Sequence, residues 1–261
     1  MFIAPIAVLP ANNLNLNMRS GSFIFCGLLL TACCLLSLCL NSCVTAPSAD
    51  EQKEADYNYK MGVAFLSEGK LQEAFVRLQK TLQLDPVNKD ALFNLGFIYM
   101  QFEEFEKARS LFSRALTLDP NFSDAQTYVG ITCIKMRHWQ EAEEPLKKAL
   151  SNVLYRFPDK AYYYLGIAYY RLGQFDNAIA AFKDSIKHAP STPYAYYSLS
   201  LAYNKTGRYG DAASVIEQAI DIDSAFRGDK EKFIDEMKRR LLTTKGEDEA
   251  DTRDYLEIMN Y

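Results

Sequence analysis

Cysteine is nearly absent from the body of this chain of 261 residues. Cys26, Cys33, Cys34, Cys39 and Cys43 all precede residue 44, and only Cys133 follows. A lone body cysteine excludes an internal disulfide there, and without a CxxC pair a zinc site has no ligands to start from. Histidine is equally scarce: His138 and His188 are the only two. Both fall near expected helix ends, and neither sits near a nucleophile motif. The sequence has no P-loop, GxSxG or HExxH. Basic excess is missing too, with a net charge of −4 and a pI of about 5.4, so a nucleic-acid partner has no electrostatic footprint. Gly (12) and Pro (9) are too few for low complexity. The expectation is a protein without enzymatic activity, metal or cofactor.

Apolar residues, by contrast, make up 49% of the chain, enough to bury a substantial core. They are first concentrated at the N-terminus, where Gly21 to Leu40 reads GSFIFCGLLLTACCLLSLCL behind Arg19. A charged residue, an apolar run and small residues in that order form a signal peptide. Met18, which opens a short MRS stretch, fits as the true start. LNSC at Leu40 to Cys43 resembles a bacterial lipobox, with Asn41 in place of the usual small or hydroxylated residue. LTAC at Leu30 to Cys33 matches that pattern better, but cleavage there leaves CLLSLCL exposed. Cys43 is therefore the expected lipid attachment site. Twenty apolar residues can also cross a bilayer, which leaves a membrane-spanning anchor as the alternative. Resemblance to lipoproteins implies that Val44 after the cysteine, rather than Asp, directs the chain to the outer membrane, facing the periplasm. Multiple acyl chains give stable anchoring where one gives only marginal binding.

From residue 55 the sequence repeats itself. Gly62, Gly96, Gly130, Gly166 and Ser200 are spaced by 34, 34, 36 and 34 residues. Ala74, Ala108, Ala142, Ala178 and Ala212 follow the same steps, as do Phe65, Tyr99, Cys133, Tyr169 and Tyr203. So do Leu78, Phe112, Leu146, Phe182 and Ile216. Small ladders let paired helices approach; large ones fill the space between. Pro86, Pro120 and Pro190 close three units, since proline cannot continue a helix. Gly69, Gly173 and Gly207 suit left-handed helix ends inside the units, whereas Glu103 takes that place in the second. The third unit has no closing proline and is followed by a longer linker, SNVLYRFPDK, and Pro145 lies inside its second helix.

These residues resemble the tetratricopeptide repeat (TPR). The resemblance implies an all-α fold: a superhelix of about five helix-turn-helix repeats with a C-terminal capping helix. The expected organisation is 1–42 signal peptide, 43–54 lipidated N-terminus and linker, 55–224 five repeats, and 225–261 cap and acidic tail. Phe233, Met237 and Leu241 form the apolar face of the cap. GEDEAD, Gly246 to Asp251, is expected to be solvated.

In such a superhelix the first helix of each unit lines the concave face. Register with the Gly ladder places Tyr59, Val63 and Leu66 there, then Phe93, Phe97 and Met100. Thr127, Ile131 and Ile134 follow, then Tyr163, Ile167 and Tyr170, and last Tyr197, Leu201 and Asn204. This stripe is unusually apolar, and contiguous apolar surface marks an interaction site. It is the expected partner-binding groove, able to take a helix. The competing reading is self-occlusion, by curvature or by the C-terminal segment folding back. Tyr59, Val63 and Phe93 stand where chaperone-binding TPRs place the polar clamp for a peptide carboxylate, so that role is not expected.

A lipobox-like cysteine followed by about five TPRs, with ALSNVLYRFPDKAYYYLGIAYYRLG between the third and fourth, resembles the pilotin lipoproteins of type IV pilus systems (the PilF/PilW and Tgl-like family). The resemblance implies a scaffold that binds the secretin subunit and assists its assembly in the outer membrane. The alternative is a periplasmic envelope adaptor that docks peptidoglycan hydrolases or other envelope complexes.

Overall fold

The computed structural model describes residues 48–261. The expected signal peptide, Met18 and the lipobox at Cys43 lie outside the described residues. Twelve helices and no strand occur among the described residues: α1 (Ala49–Ser67), α2 (Leu71–Leu84), α3 (Lys89–Gln101), α4 (Phe105–Leu118), α5 (Ser123–Lys135), α6 (Trp139–Ser151), α7 (Pro158–Arg171), α8 (Phe175–His188), α9 (Pro193–Lys205), α10 (Tyr209–Ile222), α11 (Lys230–Leu241) and α12 (Glu247–Ile258). Helices α1 to α10 pair consecutively into five hairpins, each packed on the next. None of the described helices is long and apolar enough to cross a membrane.

Helix formation begins earlier than the repeat pattern implies. The stretch to residue 54, expected as linker, is helical from Ala49. The cause is a capping box: Ser48 Oγ accepts from the Glu51 amide at 3.3 Å, and the Ser48 amide donates to Glu51 Oε2 at 2.8 Å. Two donors that would otherwise be orphaned at the helix start are thereby satisfied.

The ladders meet one to one. A β-carbon built on Gly62, Gly96, Gly130 or Gly166 would lie 2.9, 2.7, 2.5 or 2.5 Å from Leu78, Phe112, Leu146 or Phe182 respectively. Each glycine is thus the socket for the large residue of its own hairpin. The alanine ladder is wholly buried at all five positions. Cys133 is buried as well, and burial pushes its thiol up from the usual range, so it behaves as a small core residue.

Four of the five closures between or after units use the same device. Asp85, Asp119, Asn152 and Asp223 each follow a second helix, and each accepts the amide two residues on, at 3.3, 3.1, 3.0 and 2.8 Å. These Asx turns explain how the third unit closes without a proline. Its linker, residues 152–157, turns Tyr155 inward and leaves Val153 and Leu154 outside. Helix α6 runs unbroken through the buried Pro145.

Inside the hairpins, Gly69, Gly173 and Gly207 hold φ between 72° and 74°, while Glu103 and Arg137 hold φ of 60°. A β-carbon in the left-handed region costs roughly 1–2 kcal/mol. Glu103 is exposed, so Glu103→Gly is expected to stabilise the fold by about 0.5–1 kcal/mol after the entropy of glycine in the unfolded chain is subtracted. The midpoint of urea unfolding checks this; an unchanged or lower midpoint contradicts it.

A divided concave groove

The expected groove residues do lie on the first helices, but the structure does not leave them as one open stripe. In the first two repeats Tyr59, Leu66, Phe97 and Met100 are half-buried and Val63 is exposed. Tyr59 Oη accepts a long hydrogen bond from Asn94 at 3.5 Å. Phe97 meets Tyr128 edge-on at 5.8 Å. Phe93, by contrast, packs among Phe112, Phe122 and Tyr128 with ring centroids 5.2–5.6 Å away. That position holds α3 against its neighbours more than it offers contact area.

In the third repeat Thr127, Ile131 and Ile134 are all buried. From there onward the chain's own C-terminus covers the face. Helix α12 lies across the first helices of the last two repeats, and GEDEAD caps and opens it: Glu247, Glu249 and Asp251 are partly buried, while Gly246, Asp248 and Ala250 stay exposed as expected of a solvated tail. Tyr170 is buried, and its hydroxyl donates to Asp251 Oδ1 at 3.1 Å. Burial and the Asp251 carboxylate together hold the Tyr170 phenol far above its usual range. Leu201 and Asn204 are buried too. Asn204 donates to Glu257 at 3.5 Å and accepts from the Tyr261 hydroxyl at 3.0 Å. Tyr197 is stacked on Phe233 of α11 at 5.5 Å, with Tyr255 of α12 edge-on at 6.0 Å. Tyr163 and Ile167 are half-buried in the same cluster, Tyr163 meeting Tyr194 at 4.4 Å.

Ion pairs fix α12 in place. Arg171 grips Asp251 with both terminal guanidinium nitrogens, Nη2 at 2.5 Å and Nη1 at 3.2 Å, the two side chains being 15% and 16% exposed. Lys205 reaches Asp254 at 2.5 Å and Arg137 reaches Glu247 at 3.5 Å. A bidentate guanidinium–carboxylate pair adds geometric specificity to charge attraction. Sequence reasoning passed over these residues, although a signal was present. A cation stands five positions after the Gly/Ser ladder in repeats four and five (Arg171, Lys205), where Ser67 and Gln101 stand in the first two; in the third Lys135 holds that place, but Arg137, two residues on, makes the pair. Glu247, Asp251 and Asp254 share one face of α12 at matching helical spacing.

Two sequence models of the tetratricopeptide repeat match the chain, one at residues 65–127 and the other at 134–185 and 163–225. The chain belongs to the tetratricopeptide-repeat family. Among solved TPR structures, PilF of Pseudomonas aeruginosa is similar over 80% of this chain and 99% of its own, with a TM-score of 0.63 and 18% identity. YrrB, a TPR protein with an unusual peptide-binding site, is similar over 72% and 95%, with a TM-score of 0.57 and 23% identity. MamA from Desulfovibrio magneticus RS-1 is similar over 65% and 94%, with a TM-score of 0.59 and 20% identity. At these identities the likeness is one of fold. No curated protein matches the sequence. This TPR chain is a protein-interaction scaffold whose concave face is shut at one end by its own last helix.

Proposed function

We propose that this TPR scaffold is a pilotin: a chain lipidated at Cys43 that captures the secretin subunit of a type IV pilus at the outer membrane and assists its assembly. The observation that carries the capture step is the unequal concave face. Tyr59, Val63, Leu66, Phe97 and Met100 keep side-chain surface in the first two repeats, while α12 occupies the last two. Aromatic and thioether side chains give large, adaptable contact area for an apolar helix or peptide. No cation ladder runs along this half, so the captured segment is apolar rather than acidic. The secretin as partner is supported by the lipobox-like LNSC, by the pilotin-like linker and by likeness of fold to PilF over nearly its whole length.

Deletion of the gene followed by blotting of outer membranes for heat-resistant secretin multimers tests the reading. Loss of multimers with retention of monomer is the expected outcome. Unchanged multimers sink it and leave the envelope adaptor that docks peptidoglycan hydrolases. Complementation with Val63→Asp then locates the surface. Val63 is exposed, so the variant folds, yet a charge in the middle of an apolar contact should weaken capture about tenfold or more. Wild-type secretin assembly in that variant would move the site elsewhere.

A further inference from the structure

Each repeat is a tight hairpin, so α1, α3, α5, α7 and α9 all run in one direction. Their first residues and the linkers between repeats therefore share one edge of the stack; the turns inside the repeats, with Arg137 and Arg171, share the other. Asn152 in the third linker, for instance, donates to Ser123 at the start of α5, at 2.9 Å. The edge that carries the linkers is unusually apolar. Val153 is 93% exposed and Leu154 88%, the two most exposed large apolar side chains among the described residues, and Phe157 stands half-open beside them. Val87 in the first linker and Tyr194 at the start of α9 are exposed on the same edge. Arg156 lies over the Phe157 ring at 5.4 Å. Nothing in the hairpin packing requires Val153 or Leu154 to be apolar, because the Asx turn at Asn152 needs only the backbone of Leu154.

The chain enters the fold at Ser48, the start of α1, on this edge. Eight residues earlier, at Leu40, the apolar run ends. At about 3.5 Å per residue, fully extended, this tethers Ser48, at one end of the linker edge, within about 28 Å of a bilayer that holds the run, or about 17 Å if Cys43 carries the lipid.

From this geometry we infer that the 152–157 linker is a second membrane contact, in which Val153 and Leu154 enter the interface of a phospholipid bilayer with Phe157 and Arg156 at headgroup level. Aromatic and cationic side chains favour that level, with aliphatic ones beneath. Two aliphatic side chains bind lipid weakly on their own. Held next to the bilayer by the N-terminus, they act intramolecularly at high effective concentration. The consequence is orientation: the linker edge faces the lipid, and the α12 edge faces away. The inference rests on membrane attachment of the N-terminus, not on the identity of the partner.

Trp139 is the single tryptophan, so its replacement by Phe leaves a silent background. The full chain carrying Trp139→Phe and Leu154→Trp is reconstituted into phosphatidylethanolamine–phosphatidylglycerol vesicles with and without brominated acyl chains. A companion carries Trp139→Phe and Gln174→Trp, on the opposite edge. The expected result is flotation of both with the vesicles, with blue-shifted and bromine-quenched emission only from the tryptophan at 154. Adding Val153→Asp should abolish the quenching without affecting flotation. Floating protein whose tryptophan at 154 is unquenched overturns the contact while sparing the anchor. Equal quenching at both positions overturns the orientation. Protein that fails to float overturns the anchor and the contact together.

Discussion

Gly166→Ala will lower the stability of the fold by about 2 kcal/mol, although alanine is the better helix former by up to about 1 kcal/mol. The added β-carbon would stand 2.5 Å from the Phe182 ring, and Phe182 is completely buried, so the ring has nowhere to swing. Either the ring leaves its preferred rotamer or α7 and α8 move apart, and the second choice opens contacts along the whole hairpin. For a body of this size, thermal unfolding should begin about 4–8 °C lower. Gly210→Ala is the matched comparison. Its β-carbon meets nothing within 4 Å, so only the helix preference remains and stability rises by about 0.5–1 kcal/mol. A double variant with Phe182→Ala should lose less than the two single losses combined, because the clash disappears with the ring. Equal melting temperatures for Gly166→Ala and Gly210→Ala would show that the ladder pairing does not set the helix spacing.

Asp251→Ala will be the more disruptive of two carboxylate removals on α12. It leaves the Arg171 guanidinium, 15% exposed, without its bidentate partner, and removes an acceptor from the buried Tyr170 hydroxyl. Stripping one member from a largely buried pair costs about 3 kcal/mol. Glu249→Ala removes only an exposed pair with Arg253 inside the same helix and should change stability by less than about 0.5 kcal/mol. Urea unfolding measures the difference, and amide exchange along residues 247–258 locates it, with faster exchange in α12 expected for Asp251→Ala alone. Indistinguishable variants would mean that the apolar contacts of Tyr255 and Ile258 hold the helix unaided.

What could be read from the sequence, and what could not, follows from repetition. Gly96 and Phe112, or Gly130 and Leu146, face a packing problem that recurs in every unit, so the solution is written several times and its period stands out. The hairpins and their core were legible for that reason. Helix α12 occurs once. Its docking rests on Asp251, Asp254 and Glu257, polar residues that in isolation read as a solvated surface, so the covering of Tyr170 and Leu201 was legible only as the competing reading of a C-terminal segment folded back, without the residues that hold it. Arg137 shows a different limit. It occupies a backbone conformation that glycine takes in three sister units, but a third unit whose turn residue is large and charged hides the equivalence. The Asx turns at Asp85, Asp119, Asn152 and Asp223 were also written in the sequence, yet the neighbouring prolines drew the inference, and Asn152 has none.

Helix α11 has a consequence beyond capping. A stack of like units has two ends, each shaped to receive another unit, and head-to-tail addition of one copy to the next needs both. Here Phe233 and Met237 are buried against the last repeat, while Lys230, Lys238 and Arg239 are turned to water. One end is thereby removed from the reaction. Among the described residues, copies that met through the remaining end would close into a pair, and stacking of this kind offers a growing fibre no second end from which to extend.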